Sequence, residues 1–200
     1  MQNGDSIVVD PHKHGLQPYG CGCVLFKNPE AGKYYKHDSP YTYFTSDKMH
    51  LGEISLECSR AGASAAALWA TQKLFPLVKG GDFAKRLNKS HHAAVRLADM
   101  ISHDKALVLL MPPEIDIVVW APRRSSISEM SKASQQLFDA AAANNLHLAL
   151  LNYPVNRLPE HWKGITRDSD YVTCLRSCLM KPEHDEWIES IWAILKKSMR

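Results

Sequence analysis

Long apolar runs and a strong net charge are lacking in this chain, and cysteines are few. Its 200 residues contain five cysteines, and an odd number in a chain of this length argues against a disulfide framework. No apolar run approaches the roughly 18 residues of a membrane span, and no basic region followed by an apolar core opens the sequence. The net charge of +3 is too small to indicate a nucleic-acid partner. We therefore expect a cytoplasmic protein with no membrane segment, no signal peptide and no nucleic-acid ligand.

The cysteines also lack the spacing of a metal site. Cys21 and Cys23 form one pair, and Cys174 and Cys178 form another, each within an apparent strand. A zinc site needs pairs about two to four residues apart with matching partner pairs. Small buried hydrophobic side chains are the better interpretation of all four, so we predict no metal site.

Apolar residues make up 45% of the sequence, which is ordinary for a globular protein and argues against disorder. The Gly80-Gly81 break after an alanine-rich helix predicts a boundary between a first part over residues 1–79 and a second part over residues 80–200. We expect the second to place helices over a small, mostly antiparallel sheet. In chain order, the apolar pattern predicts strands Ile7–Val9 and Cys21–Phe26, helices Ala61–Leu77 and Phe83–Ile101, strands Ala106–Met111 and Ile115–Ala121, helix Ser125–Asn145, strands Leu146–Tyr153 and Tyr171–Met180, and a last helix that begins at Pro182.

Two adjacent histidines, His91 and His92, fall on the helix predicted over Phe83–Ile101. No carboxylate that could partner them is close in the sequence, so we expect both at the surface.

A lysine between two predicted strands is the most informative position in the sequence. The apolar run Ile7–Val9 predicts a buried strand, and Asp10-Pro11 ends it because proline cannot donate to a strand ladder. Lys13 therefore lies just after the end of the predicted strand, with His12 and His14 on either side. Such a lysine is placed for chemistry in a cleft, although its position alone equally fits a solvated loop lysine.

The segment Asp10-Pro11-His12-Lys13 between two short strands resembles the cofactor-binding segment of the pyridoxal-phosphate-dependent amino acid decarboxylases. That family holds the aromatic amino acid, histidine, tyrosine and glutamate decarboxylases. The resemblance continues in the same order through Ser39-Pro40-Tyr41, Gly52–Arg60 and Thr173–Arg176, so it covers essentially the whole chain. Members of the family are considerably longer, and the resemblance implies that this chain is the C-terminal part of such an enzyme.

The resemblance implies a mixed α/β and α+β architecture, a fragment of the aspartate-aminotransferase-like, type I fold of pyridoxal-phosphate-dependent transferases. Residues 1–79 would hold the C-terminal end of the large cofactor-binding domain, with the lysine segment and a mobile loop. Residues 80–200 would form the small C-terminal domain. Because the family is dimeric, we expect a homodimer, or else association with the missing N-terminal half.

In this family the lysine after the histidine carries pyridoxal phosphate as a Schiff base, which assigns cofactor attachment to Lys13. The resemblance gives His12 a bond to the cofactor phosphate, with hydrogen bonding at the strand end as the alternative. Asp10 stands where relatives often have asparagine, and an anion suits a phosphate less well. It either contacts the cofactor or orients the lysine loop.

Three further residues are candidates by the same resemblance. Tyr41 matches the family's loop tyrosine and is a candidate for protonating the carbanion-like intermediate, with Tyr43 as the alternative. Arg176 would bind the substrate carboxylate through its guanidinium, although strand alternation alone can place it in solvent. For Arg60, a structural role at a helix start is the better expectation.

These assignments predict a lyase that removes the carboxylate of an amino acid as carbon dioxide, with pyridoxal phosphate as the electron sink. Two alternatives stay open: another lyase or a desulfurase of the same fold, and an inactive fragment that serves as a folded or oligomerising module. The groups that face the pyridine nitrogen and grip the phosphate normally precede the lysine, so we expect weak cofactor retention and negligible turnover from this chain alone. We also expect exposed apolar surface near its start, and hence self-association.

Overall fold

The structure is a computed structural model that describes residues 3–36, 50–54 and 61–199. It divides the chain into two compact units, Met1–Gly81 and Asp82–Arg200, and each is described by itself. Within the described ranges, no helix combines the length and the apolar character needed to cross a membrane.

The first unit is built on a two-stranded antiparallel ribbon. Its elements are β1 (Ser6–Val9), β2 (Cys23–Phe26), the 3-10 helix Pro29–Tyr34, α1 (Leu51–Ile54) and α2 (Ala61–Leu74). The pairing of β1 with β2 sets Val8 opposite Val24. The predicted helix that was to reach Leu77 ends at Leu74, because Pro76 lacks a backbone donor and disfavours helical geometry in the residue before it.

Both strands of this ribbon carry apolar side chains, and most of them are exposed. The exposed fraction of Val8 is 68%, and Val24, Leu25 and Phe26 are exposed as well. The predicted strand is present, but the prediction that it is buried is wrong. Two strands cannot bury their own faces, and an apolar run identifies apolar side chains without showing what covers them. This ribbon is the apolar surface expected near the start of the chain.

The second unit places three helices on a four-stranded antiparallel sheet. Its elements are α3 (Asp82–His103), β3 (Leu107–Leu109), β4 (Ile117–Pro122), α4 (Ile127–Ala143), β5 (Ala149–Pro154), β6 (Tyr171–Cys178) and α5 (His184–Ser198). The strand order is β3-β4-β6-β5, so β4 and β6 are central and paired on both sides. The predicted helices over an antiparallel sheet are confirmed, with bounds that differ from the predicted ones by a few residues.

Alternation along the central strands directs one set of side chains into the main core. Val118, Trp120 and Leu175 are fully buried on the face where α3, α4 and α5 pack. The indole Nε1 of Trp120 donates to Ser177 Oγ at 3.1 Å, so the polar atom of this ring is paired inside the core. The helices contribute Leu97, Ile101, Leu137, Ile188 and Leu195.

The opposite face of the sheet carries a second, smaller apolar cluster. Ala121 and Cys174 pack there with Trp162, whose Nε1 donates to the backbone carbonyl of Leu109 at 3.0 Å. Burial raises the pKa of the Cys174 thiol to about 12, so this side chain stays protonated and behaves as a small hydrophobic group.

Charged side chains link α3 to α5. Arg96 donates to the backbone carbonyl of Asp185 at 2.7 Å and to Glu189 Oε1 at 2.8 Å. His92 Nδ1 lies 2.8 Å from Asp185 Oδ1. His92 is exposed, as expected, but it does have a carboxylate partner, because packing of the two helices brings together residues that are 93 positions apart.

Helix α4 begins where two chain segments meet. Ser126 caps it by accepting from the backbone N–H of Glu129 at 3.3 Å. Asp168, which is 40 positions further along, accepts from the backbone N–H of Ser128 at 2.9 Å and from its hydroxyl at 2.5 Å. The bond from the Ser128 hydroxyl is the main reason that the pKa of Asp168 falls to about 2.

Candidate functional site

The predicted lysine lies in a short loop that follows β1. The backbone N–H of Lys13 donates to the carbonyl of Asp10 at 3.0 Å, which closes a turn directly after the strand. Its side chain leaves the turn with 58% of its surface exposed, and Nζ lies 2.7 Å from Asp10 Oδ2. The hydrogen bond from Lys13 is the main cause that lowers the pKa of Asp10. The amine is therefore accessible and accompanied by a fixed carboxylate.

The imidazole of His12 is held beside this turn. Its Nδ1 lies 3.1 Å from the backbone carbonyl of Cys21, and a carbonyl can only accept, so Nδ1 carries the hydrogen of this bond. The ring stacks on Tyr19 with centroids 5.6 Å apart and planes inclined by 29°. The neutral ring therefore presents Nε2 as an acceptor, and Nε2 becomes a donor when the ring is protonated.

The second half of the loop folds back onto its first half. A Cβ at Gly15 would lie 2.7 Å from backbone atoms of Pro11, so this close approach requires glycine. The backbone N–H of Gln17 donates to the carbonyl of Pro11 at 3.3 Å. The Gln17 side chain is buried, and its Nε2 lies 2.7 Å from Thr71 Oγ1 on α2. The lysine turn is thus held both by its own backbone and by a helix.

Tyr41 and Tyr43 lie outside the described residues, but the two residues that flank segment 37–49 share one partner. Glu53 is largely buried, and its carboxylate accepts from Lys36 Nζ at 3.3 Å and from the backbone N–H of His50 at 2.9 Å. The bond from His50 is the main cause that lowers the pKa of Glu53. The role of Tyr41 as a proton donor stays a prediction.

Arg176 lies in the second unit, in the middle of the central strand β6. Leu175 and Ser177 point into the main core, so alternation directs Arg176 to the opposite face of the sheet. Its cross-strand neighbours are Val119 and Ala149. The side chain is half-buried, and its Nε finds no hydrogen-bond partner among the described residues. A carboxylate is a suitable partner for such a guanidinium N–H.

The structure therefore brings Asp10, His12 and Lys13 into one loop and places Arg176 in the other unit. Arg60 lies outside the described residues. Within the described part of the chain, no group of three or more His, Cys, Asp or Glu side chains is arranged to hold a metal ion. The four described cysteines are free thiols.

Two residues with specific contacts, Gln17 and Glu53, are not among the candidates that the sequence provides. The partner of Gln17 on α2 is 54 positions away, and the sequence gives no sign of that contact. Glu53 stands three residues after His50, which is the spacing of a capping box at a helix start. That spacing is the signal from which the bond between Glu53 and His50 could have been predicted.

Comparison with known proteins relates this chain to decarboxylases in both sequence and structure. The L-tyrosine decarboxylase of Enterococcus faecium is 26% identical over 155 residues, which cover 71% of this chain and 25% of that protein. The L-tyrosine decarboxylase of Enterococcus faecalis is 27% identical in an alignment that covers all of this chain and 38% of that protein. No protein-family model matches the chain.

Among solved structures, the glutamate decarboxylase of Lactobacillus brevis superposes with a TM-score of 0.72 at 16% identity, over 98% of this chain and 40% of that one. The chain thus spans between about a quarter and two fifths of the length of the proteins it matches. It is therefore related to a segment of the amino acid decarboxylases, and its fold is that of part of the type I pyridoxal-phosphate-dependent decarboxylases.

Proposed function

We propose that this chain carries the cofactor-binding lysine of a pyridoxal-phosphate-dependent amino acid decarboxylase. The observation that carries the proposal is the accessible amine of Lys13 on a turn that backbone hydrogen bonds close. Sequence relatives across the whole chain and the shared fold support it. In this proposal residues 1–79 are the end of the large cofactor-binding domain, and residues 80–200 are the small C-terminal domain.

The residues of the lysine turn fit this cofactor. An exposed primary amine can react with the aldehyde of pyridoxal phosphate, and the side chain of Lys13 is more than half exposed beside Asp10. His12 would donate to the phosphate through Nε2 in its protonated form, because Nδ1 already donates to a carbonyl. Asp10 bonds to the amine itself, so we assign it to orient Lys13 rather than to hold the phosphate.

The chain's own groups then have separate tasks in the reaction. When bound, the cofactor supplies the electron sink for the electrons that the departing carboxylate leaves behind. Lys13 holds the cofactor before the substrate arrives and releases the product afterwards. Arg176 binds a substrate carboxylate through its unpaired N–H, and Tyr41 returns a proton to the α-carbon.

The names of the sequence relatives make L-tyrosine the first amino acid to test as a substrate. We propose a homodimer, with the exposed apolar residues of the ribbon as the supporting observation. A cytoplasmic location stays a prediction.

Covalent trapping of the cofactor tests the central assignment. Pyridoxal phosphate is added to the chain, borohydride reduces the bond between cofactor and lysine, and mass spectrometry maps the labelled residue. We expect the label on Lys13, its loss in Lys13→Arg, and its retention in Lys79→Arg, a control at an exposed lysine of the same unit. A label spread over surface lysines in all three proteins would refute the proposal.

Turnover is a separate question from attachment. We expect the chain to release carbon dioxide from carboxyl-labelled L-tyrosine slowly at best, because the chain spans a minor part of its relatives' length. Release at a rate typical of decarboxylases, lost in Lys13→Arg, would show that this chain suffices for the whole reaction.

One observation favours the alternative of an oligomerising module without activity. The ribbon of the first unit exposes apolar side chains on both strands, as an association surface does. Sedimentation as a defined oligomer, together with no label on Lys13, would favour that alternative.

A further inference from the structure

The buried carboxamide of Gln17 belongs to no part of the proposed chemistry. Its side chain is only 8% exposed, in a unit whose strands are largely open to solvent. Its Nε2 lies 2.7 Å from Thr71 Oγ1, 3.1 Å from the carbonyl of Leu16 and 3.3 Å from the carbonyl of Gly15. A single amide group therefore joins the end of the lysine loop to α2.

The backbone beside Gln17 has a strained conformation that hydrogen bonds must hold in place. Leu16 has a φ of 59°, in the left-handed region that a leucine rarely adopts. Gly15 is pressed against Pro11, as the space for its missing Cβ shows. A loop in this conformation persists only when its surroundings hold it, and the Gln17 amide bonds to the carbonyls on both sides of the strained residue.

The other end of the same amide argues against a purely stabilising role. Gln17 Oε1 is buried and finds no hydrogen-bond partner within the described residues, which is unfavourable for folding. A leucine would fill a similar volume without burying an unpaired oxygen. We therefore expect the Gln17 amide to matter more for the conformation of the loop than for the free energy of folding.

We propose that Gln17 is a positioning residue that fixes the Lys13 loop on α2. The inference rests on the proposed attachment of the cofactor to Lys13. Gln17 acts at a distance, since its contacts reach the loop backbone and Thr71, while the Lys13 amine is exposed beside Asp10. A fixed loop base limits the positions of the amine and so favours its reaction with a cofactor that binds in one orientation.

Two measurements on the full chain test the inference. Amide hydrogen exchange follows the loop through the N–H groups of Lys13 and Gln17, which bond to Asp10 and Pro11. Borohydride trapping with pyridoxal phosphate follows the fraction of label on Lys13. In Gln17→Leu we expect exchange at these two amides to rise about tenfold, in line with the loss of one or two hydrogen bonds, and the Lys13 label to form roughly threefold more slowly.

Matched variants separate positioning from general loosening. Thr71→Val removes the partner hydroxyl on α2 and should raise loop exchange in the same direction, whereas Thr71→Ser should keep the wild-type values. Gln72→Ala, at an exposed position next to Thr71, should change neither measurement. The melting temperature of Gln17→Leu should match that of the wild type, because the loss of a purely structural residue would lower the melting temperature.

Each outcome decides between distinct claims. If wild type is labelled at Lys13 and Gln17→Leu changes neither the exchange nor the labelling, the inference is wrong while the proposed function stands. Faster loop exchange with unchanged labelling also overturns the inference, because the hydrogen bonds of Gln17 would then have no effect on the reaction of the Lys13 amine. If wild type is not labelled at Lys13, the proposed function fails and the inference fails with it.

Discussion

Different forces stabilise each of the two units of this chain. Among the described residues, the largest fully buried side chains all belong to the second unit, and they include Trp120, Trp162 and Leu97. In the first unit, strand residues such as Val8 and Val24 face solvent, while the buried polar groups among its described residues are Gln17 in the lysine loop and Glu53 in α1. Apolar packing organises the second unit, whereas hydrogen bonds between loop residues and helix residues are prominent in the first.

This difference separates stability from chemistry. Apolar burial supplies most of the free energy of folding, whereas a single hydrogen bond adds about 1 kcal/mol and an exposed ion pair less. The first unit holds the lysine turn and its flanking contacts, so the proposed attachment of the cofactor lies in the unit with less apolar packing among its described residues. Binding loops are commonly drawn from such regions of low local stability.

A matched pair of tryptophans gives the sharpest test of this comparison. Trp120 is fully buried in the core of the second unit, whereas Trp69 on α2 is 64% exposed. We expect Trp120→Ala to lower the free energy of unfolding by about 3–5 kcal/mol and Trp69→Ala to change it by less than about 0.5 kcal/mol. Denaturant unfolding followed by circular dichroism measures both. Equal effects would mean that the first unit has a core of its own.

Amide hydrogen exchange should separate the units strand by strand. The amides of β1 and β2 belong to a ribbon with open faces, and those of β4 and β6 lie in the centre of a covered sheet. We expect exchange in the ribbon to be faster by at least about a hundredfold, because an isolated two-stranded ribbon is marginal in water. Similar protection in both would show that association covers the ribbon in solution.

Thermal unfolding at acidic pH tests whether one hydrogen-bonded carboxylate contributes to the stability of the second unit. Asp168 has a pKa lowered from 3.8 to about 2 in the folded state, chiefly by its bond from Ser128. A depressed carboxyl pKa adds stability above the unfolded value of 3.8, and this stability is lost as the pH falls through about 2. Melting temperatures between pH 5 and pH 2 should therefore fall less steeply in Asp168→Asn than in wild type. Asp170→Asn, at a neighbouring exposed carboxylate, should follow the wild-type curve.

The smallest effect on stability should come from the ribbon itself. Replacing Val8 and Val24 together by threonine keeps β-branched side chains on paired strands and removes apolar surface. We expect the unfolding of the second unit to change by less than about 0.5 kcal/mol and self-association to weaken in sedimentation. Val78→Thr, at an exposed valine outside the ribbon, is the control. Unchanged association in the double variant would place the contact surface elsewhere.

The elements of the second unit were predictable because the apolar pattern and the length of each segment indicate its type. The strand predicted over Tyr171–Met180 is observed as Tyr171–Cys178, since its apolar pattern and its length both favour a strand. The helix predicted over Phe83–Ile101 is observed as Asp82–His103 for the same reason. Burial in the first unit was not predictable, because covering a strand depends on other parts of the protein and not on its own residues.

The site was predictable only as far as a contiguous motif extends. Asp10, His12 and Lys13 are neighbours in sequence, and their loop is found as a unit. Contacts such as Gln17 to Thr71 and His92 to Asp185 join residues that are distant in sequence, so periodicity and spacing could not identify them. The resemblance to decarboxylases supplied roles for single residues but no information on these supporting contacts.

The bonds of Glu53 have a consequence for engineering. Because its carboxylate holds both Lys36 and His50, the separation between the two ends of segment 37–49 is set outside that segment. The entropy of closing a loop between fixed ends grows only slowly with its length, by about 0.6 kcal/mol for each doubling. We therefore expect segments of other lengths and compositions to be tolerated between Lys36 and His50.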